Sequence, residues 1–94
     1  MIKYLFEWDD AKDAINQEQY GIAFTEAQEA FYDENRIIAY DEAHSKDEER
    51  LFCIGKTPKG VLTVRFTVRG KRIRIIGAGK WRKGRKLYEE KRRT

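Results

Sequence analysis

Hydrophobic and polar residues alternate at the start of the chain. In 3–8, KYLFEW, the side chains of Tyr4, Phe6 and Trp8 fall on one side, the period-two pattern of a strand with one buried face. The period then lengthens. Asp9 or Asp10 can cap a helix running to about Gln19, with Ala11, Ala14 and Ile15 at helical spacing and Gly21 as its stop. After Ile22 and Phe24, Thr25 begins a second helical pattern in which Ala27, Ala30 and Phe31 share a stripe, closed by Asp33, Glu34 and Asn35. From Arg36 the period returns to two, which predicts strands near 36–40, 50–56, 61–69 and 71–78. Thr57-Pro58-Lys59-Gly60 and Arg69-Gly70-Lys71 are turns short enough to require antiparallel neighbours. The stretch 41–49, DEAHSKDEE, reads as a charged loop. Past Gly79 a basic C-terminal helix is predicted, with Trp81 and Tyr88 seven apart and Gly84 weakening it by about 1 kcal/mol relative to Ala. The expected architecture is α+β: an N-terminal strand, two short helices, an antiparallel β-meander and a C-terminal helix.

Composition narrows the class. Ninety-four residues suit one domain, 1–94, since each domain must bury its own core. With 40% hydrophobic and 38% charged residues and a single Pro, the chain lies outside the disordered and low-complexity classes. No apolar run approaches the roughly 18 residues of a membrane span, and the N-terminus lacks the apolar stretch and cleavage site of a signal peptide. A cytoplasmic protein with no membrane partner is expected. The lone Cys53 excludes an internal disulfide and, with His44 as the only imidazole, leaves too few ligands for a Cys/His zinc site. No metal and no cofactor are expected, and Cys53 is read as buried packing.

The net charge of +4 hides an asymmetry. Residues 1–47 carry 4 Lys+Arg against 12 Asp+Glu, a formal −8, whereas 48–94 carry 16 against 4, a formal +12. Such a basic half is self-repulsive unless the acidic half folds against it or a polyanion neutralises it. Both readings stand at this point.

Alternation in the last two meander strands sorts these charges. Leu62, Val64, Phe66 and Val68 point one way, with Ile73 and Ile75 beside them; Thr63, Arg65, Thr67 and Arg69 point the other, beside Arg72 and Arg74. A polar sheet face is often simply solvated. The preference for Arg, whose guanidinium fork suits phosphate oxygens, favours a phosphate-rich ligand instead. Lys80, Arg82, Lys83, Arg85 and Lys86 extend the basic region, and Trp81 and Tyr88 can either pack in the core or stack on unpaired bases. His44 and Glu49 lie in the charged loop that leads to this face. Metal-free RNA cleavage needs a base for the 2′-hydroxyl proton, donors for the phosphorane charge and an acid for the leaving oxygen. His44, Glu49 and the arginines are of those types, although a histidine in a charged loop is commonly an ordinary surface residue.

FEWD at 6–9, Lys12, Asn16, Gly21, Phe24, Glu26-Ala27, Phe31, HS at 44–45, EER at 48–50, IG at 54–55, Leu62, Thr67, Arg69, RII at 74–76, Ala78 and Tyr88-Glu89 follow one another in a series. In this order the chain resembles the BrnT family of type II toxin components over nearly its whole length. The resemblance implies a RelE-like fold, metal-independent endoribonuclease activity that blocks translation, and neutralisation in a hetero-oligomer by a BrnA-like antitoxin with a ribbon-helix-helix DNA-binding end. It carries His44, Glu49, Arg50, Arg69 and Arg74 over as catalytic candidates. Glu49 or His44 would be the base, Arg69 and Arg74 the phosphate stabilisers and Arg50 a positioning group. Arg65, Arg72, Lys80, Arg82, Lys83 and Arg85 are candidate RNA contacts. The chain departs from the family pattern at three places: Gly77-Ala78-Gly79 where many members have Ser-Ala-Arg, Tyr20 where His is usual, and Trp81-Arg82-Lys83-Gly84 in place of an Ala-Thr run. These departures keep a second reading open, a non-catalytic RNA- or antitoxin-binding module.

Overall fold

The computed structural model describes residues 3–93. The elements are β1 (Leu5–Trp8), α1 (Asp10–Tyr20), α2 (Phe24–Ala27) continuing into a 3-10 helix (Gln28–Tyr32), β2 (Ile37–Tyr40), a 3-10 turn (Glu42–His44), β3 (Leu51–Thr57), β4 (Gly60–Arg69), β5 (Arg72–Gly79) and α3 (Arg82–Arg92). The α+β class and the meander expected from the sequence are present. The first strand begins at Leu5 rather than 3, and the second helical segment tightens from α to 3-10 at Gln28.

The five strands form one sheet in the order β1-β5-β4-β3-β2. β2 to β5 pair antiparallel with their chain neighbours, while β1 runs parallel to β5 with Phe6 opposite Ile73 and Trp8 opposite Ile75. β5 carries one extra residue at Ile76, because Arg65 faces Gly77 while Phe66 faces Ile75. α1, α2 and the first 3-10 helix cover one face. There Phe24, Phe31, Leu62, Val64, Phe66 and Ile75 are buried, each such side chain worth roughly 1.5–3 kcal/mol in transfer from water. Phe31 meets Phe66 edge-on at 5.0 Å and Phe6 at 5.3 Å. Cys53 lies fully inside this core, and burial, the leading cause, pushes its thiol up to about 12.

Two glycines allow helices to approach the sheet. A side chain at Gly55 would strike the carbonyl of Ala30, so the 3-10 helix rests on the β3 backbone. One at Gly84 would strike Thr63 Oγ1, which seats α3 on the opposite face over β3 and β4. Gly84, costly for helix propensity, is thus the residue that lets the helix dock. Tyr88 anchors the same helix: it is buried, and its hydroxyl donates to Asp33 Oδ2 at 2.5 Å.

Three expectations about burial are corrected. Ala11, Ala14 and Ile15 of α1 face solvent, and the buried residue is Asn16, whose amide donates to the carbonyls of Ile22 and Ala78 and accepts from Ala78 N–H. β1 ends opposite Ile75, so without Asn16 the polar groups of Ala78 would lack a strand partner. Val68 is 55% exposed, because it lies near the end of β4 beyond the helical layer. Thr63 and Thr67 are buried, not part of an open shelf: α3 covers the first, and the second donates to the Glu49 carbonyl at 2.6 Å. Among the described residues no helix is long and apolar enough to cross a membrane.

The Asp33 station sets an acid limit on stability. Burial opposes its charge, but donation from Tyr88, Lys56 N–H and Asn35 N–H, with Arg92 nearby, outweighs that and holds the carboxyl below its ordinary 3.8. A depressed carboxylate contributes stability above the unfolded-state value that is lost as pH falls through the folded one. Urea unfolding at a series of pH values from 6 down to 2 should therefore show a shallower acid decline in Asp33→Asn than in the wild type. Parallel curves would remove Asp33 as a source of the acid dependence.

Candidate active site

β2 ends at Tyr40, and the chain must turn back into β3 within ten residues. Asp41 N–H donates to the Arg50 carbonyl, and Ser45 Oγ donates to the Asp41 carbonyl and accepts from Arg50 N–H at 2.9 Å. The HS-EER run closes this loop on itself. Asp41 is only 5% exposed, and its carboxylate takes His44 Nδ1 at 3.1 Å while lying 3.3 Å from Arg65 Nε on β4. The Arg65 contact is an ion pair off the hydrogen-bond line, since Nε has no geometrically sound acceptor. Arg65 also lies over the Phe52 ring at 5.6 Å. With Nδ1 held as the donor to a carboxylate, the neutral imidazole keeps Nε2 as its lone-pair nitrogen.

His44 and Arg50 line one cleft of about 410 Å³ with Ala43, Lys46, Asp47 and Glu48. Arg50 Nε is buried there without an acceptor. Of the arginines of β4 and β5, Arg69 reaches it, through Glu48. Thr67 is opposite Arg74 and Arg69 is opposite Arg72, so Arg65, Arg69, Arg72 and Arg74 share the sheet face next to the loop. Arg69 reaches both Glu48 oxygens at 3.4 Å, half in solvent; Arg74 holds Glu7 more closely, at 2.7 Å. Arg72 is exposed and has no partner among the described residues. The Glu49 side chain is exposed and lies outside the cleft lining; its main-chain carbonyl is what Thr67 fixes.

The remaining basic candidates lie elsewhere. Lys80, Arg82 and Arg85 line a cleft of about 550 Å³ between α3 and the β3–β4 turn, with Arg85 tied to Glu89 at 2.8 Å. Lys83 borders a largely apolar groove that Ala39, Phe52, Ile54 and Leu87 form with Trp81 and with Arg65 of β4. These cations therefore lie in other clefts than His44, with Arg65 and Lys83 sharing a groove, and the sequence reading missed Asp41. The signal for Asp41 was its place three residues before the only histidine, at the end of a strand, where a short side chain can turn back on the backbone. Glu7 and Glu48 were likewise unassigned as partners of Arg74 and Arg69.

Removing the Asp41 carboxylate leaves His44 without its acceptor and the partly buried Arg65 guanidinium without its counter-charge. Asp41→Ala should lower the unfolding free energy in urea by about 1–3 kcal/mol, with Asp41→Asn losing less because its carbonyl still accepts from His44. An Asp41→Ala protein as stable as wild type would show that the carboxylate does not hold the loop.

Comparisons with known proteins agree with this architecture. The family model described as the ribonuclease toxin, BrnT, of type II toxin-antitoxin system matches residues 8–84. The crystal structure of the Brucella abortus ribonuclease toxin, BrnT, superposes with a TM-score of 0.65 at 21% identity, covering 82% of this chain and 95% of that one. No curated protein matches the chain. A match across most of the length, on a fold shared with a solved toxin, places this chain in the BrnT family of ribonuclease toxins from type II toxin-antitoxin systems.

Proposed function

We propose that the chain is an endoribonuclease that cleaves RNA at the cleft of the 41–50 loop, where Arg69 of β4 reaches Glu48, using its own side chains for acid–base work. The observation that carries this is the Asp41–His44 contact at 3.1 Å, which orients a half-exposed imidazole and leaves Nε2 without a partner among the described residues. His44 Nε2 takes the 2′-hydroxyl proton as that oxygen bonds to phosphorus. The P–O5′ bond breaks, and the proton returns to the departing 5′ oxygen, giving a 2′,3′-cyclic phosphate and a 5′-hydroxyl end. Arg50, with an unsatisfied buried Nε, and Arg69, whose contact with Glu48 is long and exposed, are the groups best able to turn to phosphate oxygens. Arg74 is less free, being held by Glu7. Glu49 is the weaker candidate for the base, since its carboxylate is outside the cleft lining.

The antitoxin implied by the family is, in this reading, a BrnA-like protein with a ribbon-helix-helix end, which would silence the toxin by covering the arginine face. The tight Arg74–Glu7 pair favours a second reading, in which the face binds RNA or antitoxin without turnover.

Cleavage of single-stranded RNA should persist in EDTA, and His44→Ala should slow it by roughly 10²–10⁴-fold with the circular dichroism spectrum unchanged. Arg74→Ala should cost far less. RNA that stays intact with wild-type protein, or an undiminished rate in His44→Ala, would contradict the assignment.

A further inference from the structure

Gly79, Tyr20 and Trp81 meet in space. The Trp81 indole lies on Gly79: a Cβ there would be 2.9 Å from Cε2 and Cζ2 of the ring, so no side chain at 79 fits beneath it. Tyr20, the last residue of α1, meets the same indole edge-on at 5.9 Å. Both rings remain accessible, Tyr20 at 51% and Trp81 at 36%. The sequence left Trp81 between core and surface. It is the residue before α3, held by Gly79 and Tyr20, and it does not share the buried stripe of Tyr88.

Cations surround this pair. Trp81, Lys59 and Lys80 are common to the cleft of about 550 Å³ beside α3 and to a neighbouring one of about 470 Å³ that includes Tyr20. Lys59 is engaged by Glu26 at 3.3 Å, whereas Lys80 and Arg82 have no partner among the described residues. A fixed, half-exposed indole among unpaired cations has the elements of a single-strand site, in which an aromatic face takes a base and the charges take the backbone.

We propose that Trp81, braced by Tyr20 and Gly79, is a stacking platform for an unpaired nucleobase of the RNA, with Lys80 and Arg82 on the flanking phosphates. This deepens the proposed ribonuclease function and rests on RNA being its ligand. The platform lies at the Gly79 end of β5, away from the Arg69–Arg72 turn, so it is an anchoring site and takes no part in proton transfer. It would favour single strands over duplex, because paired bases offer no free face.

The test is binding of a fluorescent 2′-O-methyl oligonucleotide, which has no 2′-hydroxyl to attack and so is read independently of cleavage. Trp81→Leu should weaken the affinity about tenfold or more without changing its salt dependence, while Trp81→Phe keeps most of it. Lys80→Ala should lower the slope of log K against log salt by about 0.7. Affinity unchanged in Trp81→Leu, or no binding by the wild type at low salt, overturns the proposal. If Trp81→Leu does not fold, W8F protein leaves Trp81 as the only tryptophan, and its emission, excited at 295 nm to avoid the tyrosines, should be quenched by an unlabelled strand; unquenched emission overturns the proposal. Failure of the cleavage reading looks different: a Trp81-dependent strand affinity with ordinary RNA left intact.

Discussion

A carboxylate removed from water has to be compensated at close range, and the buried Asp41 is compensated from two directions, by the His44 imidazole and by the Arg65 guanidinium. One contact is local, three residues away in sequence, and the other crosses to β4. The loop is therefore fixed to the arginine-bearing face. Ser45 and the Asp41–Arg50 main-chain bond repeat this closure with neutral groups. Without the constraint, His44 would sit on a ten-residue connection with nothing to set its direction. With it, the imidazole, Arg50 and the row from Arg65 to Arg74 share one side of the sheet.

The charge asymmetry resolves into two parts. Arg74–Glu7, Arg65–Asp41 and Lys59–Glu26 each join a cation of the second half to an anion of the first, so mutual neutralisation accounts for some of the excess. A partly exposed pair such as Arg74–Glu7 is worth about 0–1 kcal/mol. The weight of these pairs lies in position: each ties the first half of the chain to the sheet. Arg72, Lys80 and Arg82 have no such partner among the described residues. They lie at the two ends of β5, one group by the Arg69–Arg72 turn and the other beside Trp81.

Much of the fold was legible because it follows local periodicity. The period-two runs, the turns at 57–60 and 69–71 and the Asp9 and Gly21 caps gave element boundaries within one or two residues of those observed. What periodicity does not encode is long-range placement. Nothing in KYLFEW says that β1 lies parallel to β5, and nothing in the α1 pattern says that Asn16 turns inward to serve Ala78. Alternation identified which side chains share a face but not what covers it, hence the buried Thr63 and Thr67. At the site, residue types were readable and pairings were not. Asp41, Glu7 and Glu48 looked like ordinary loop or strand acids until the fold brought them to Arg65, Arg74 and Arg69.

The orientation of one imidazole is the claim on which the chemistry turns, and because His44 is the only histidine it can be read without assignment ambiguity. Ring ¹⁵N shifts and couplings, recorded on uniformly labelled protein above the titration of the ring, distinguish the two neutral tautomers. In the wild type Nδ1 should carry the proton and Nε2 the lone pair, with that preference lost in Asp41→Ala. A neutral His44 protonated on Nε2, or a tautomer mixture indifferent to Asp41, would contradict that orientation.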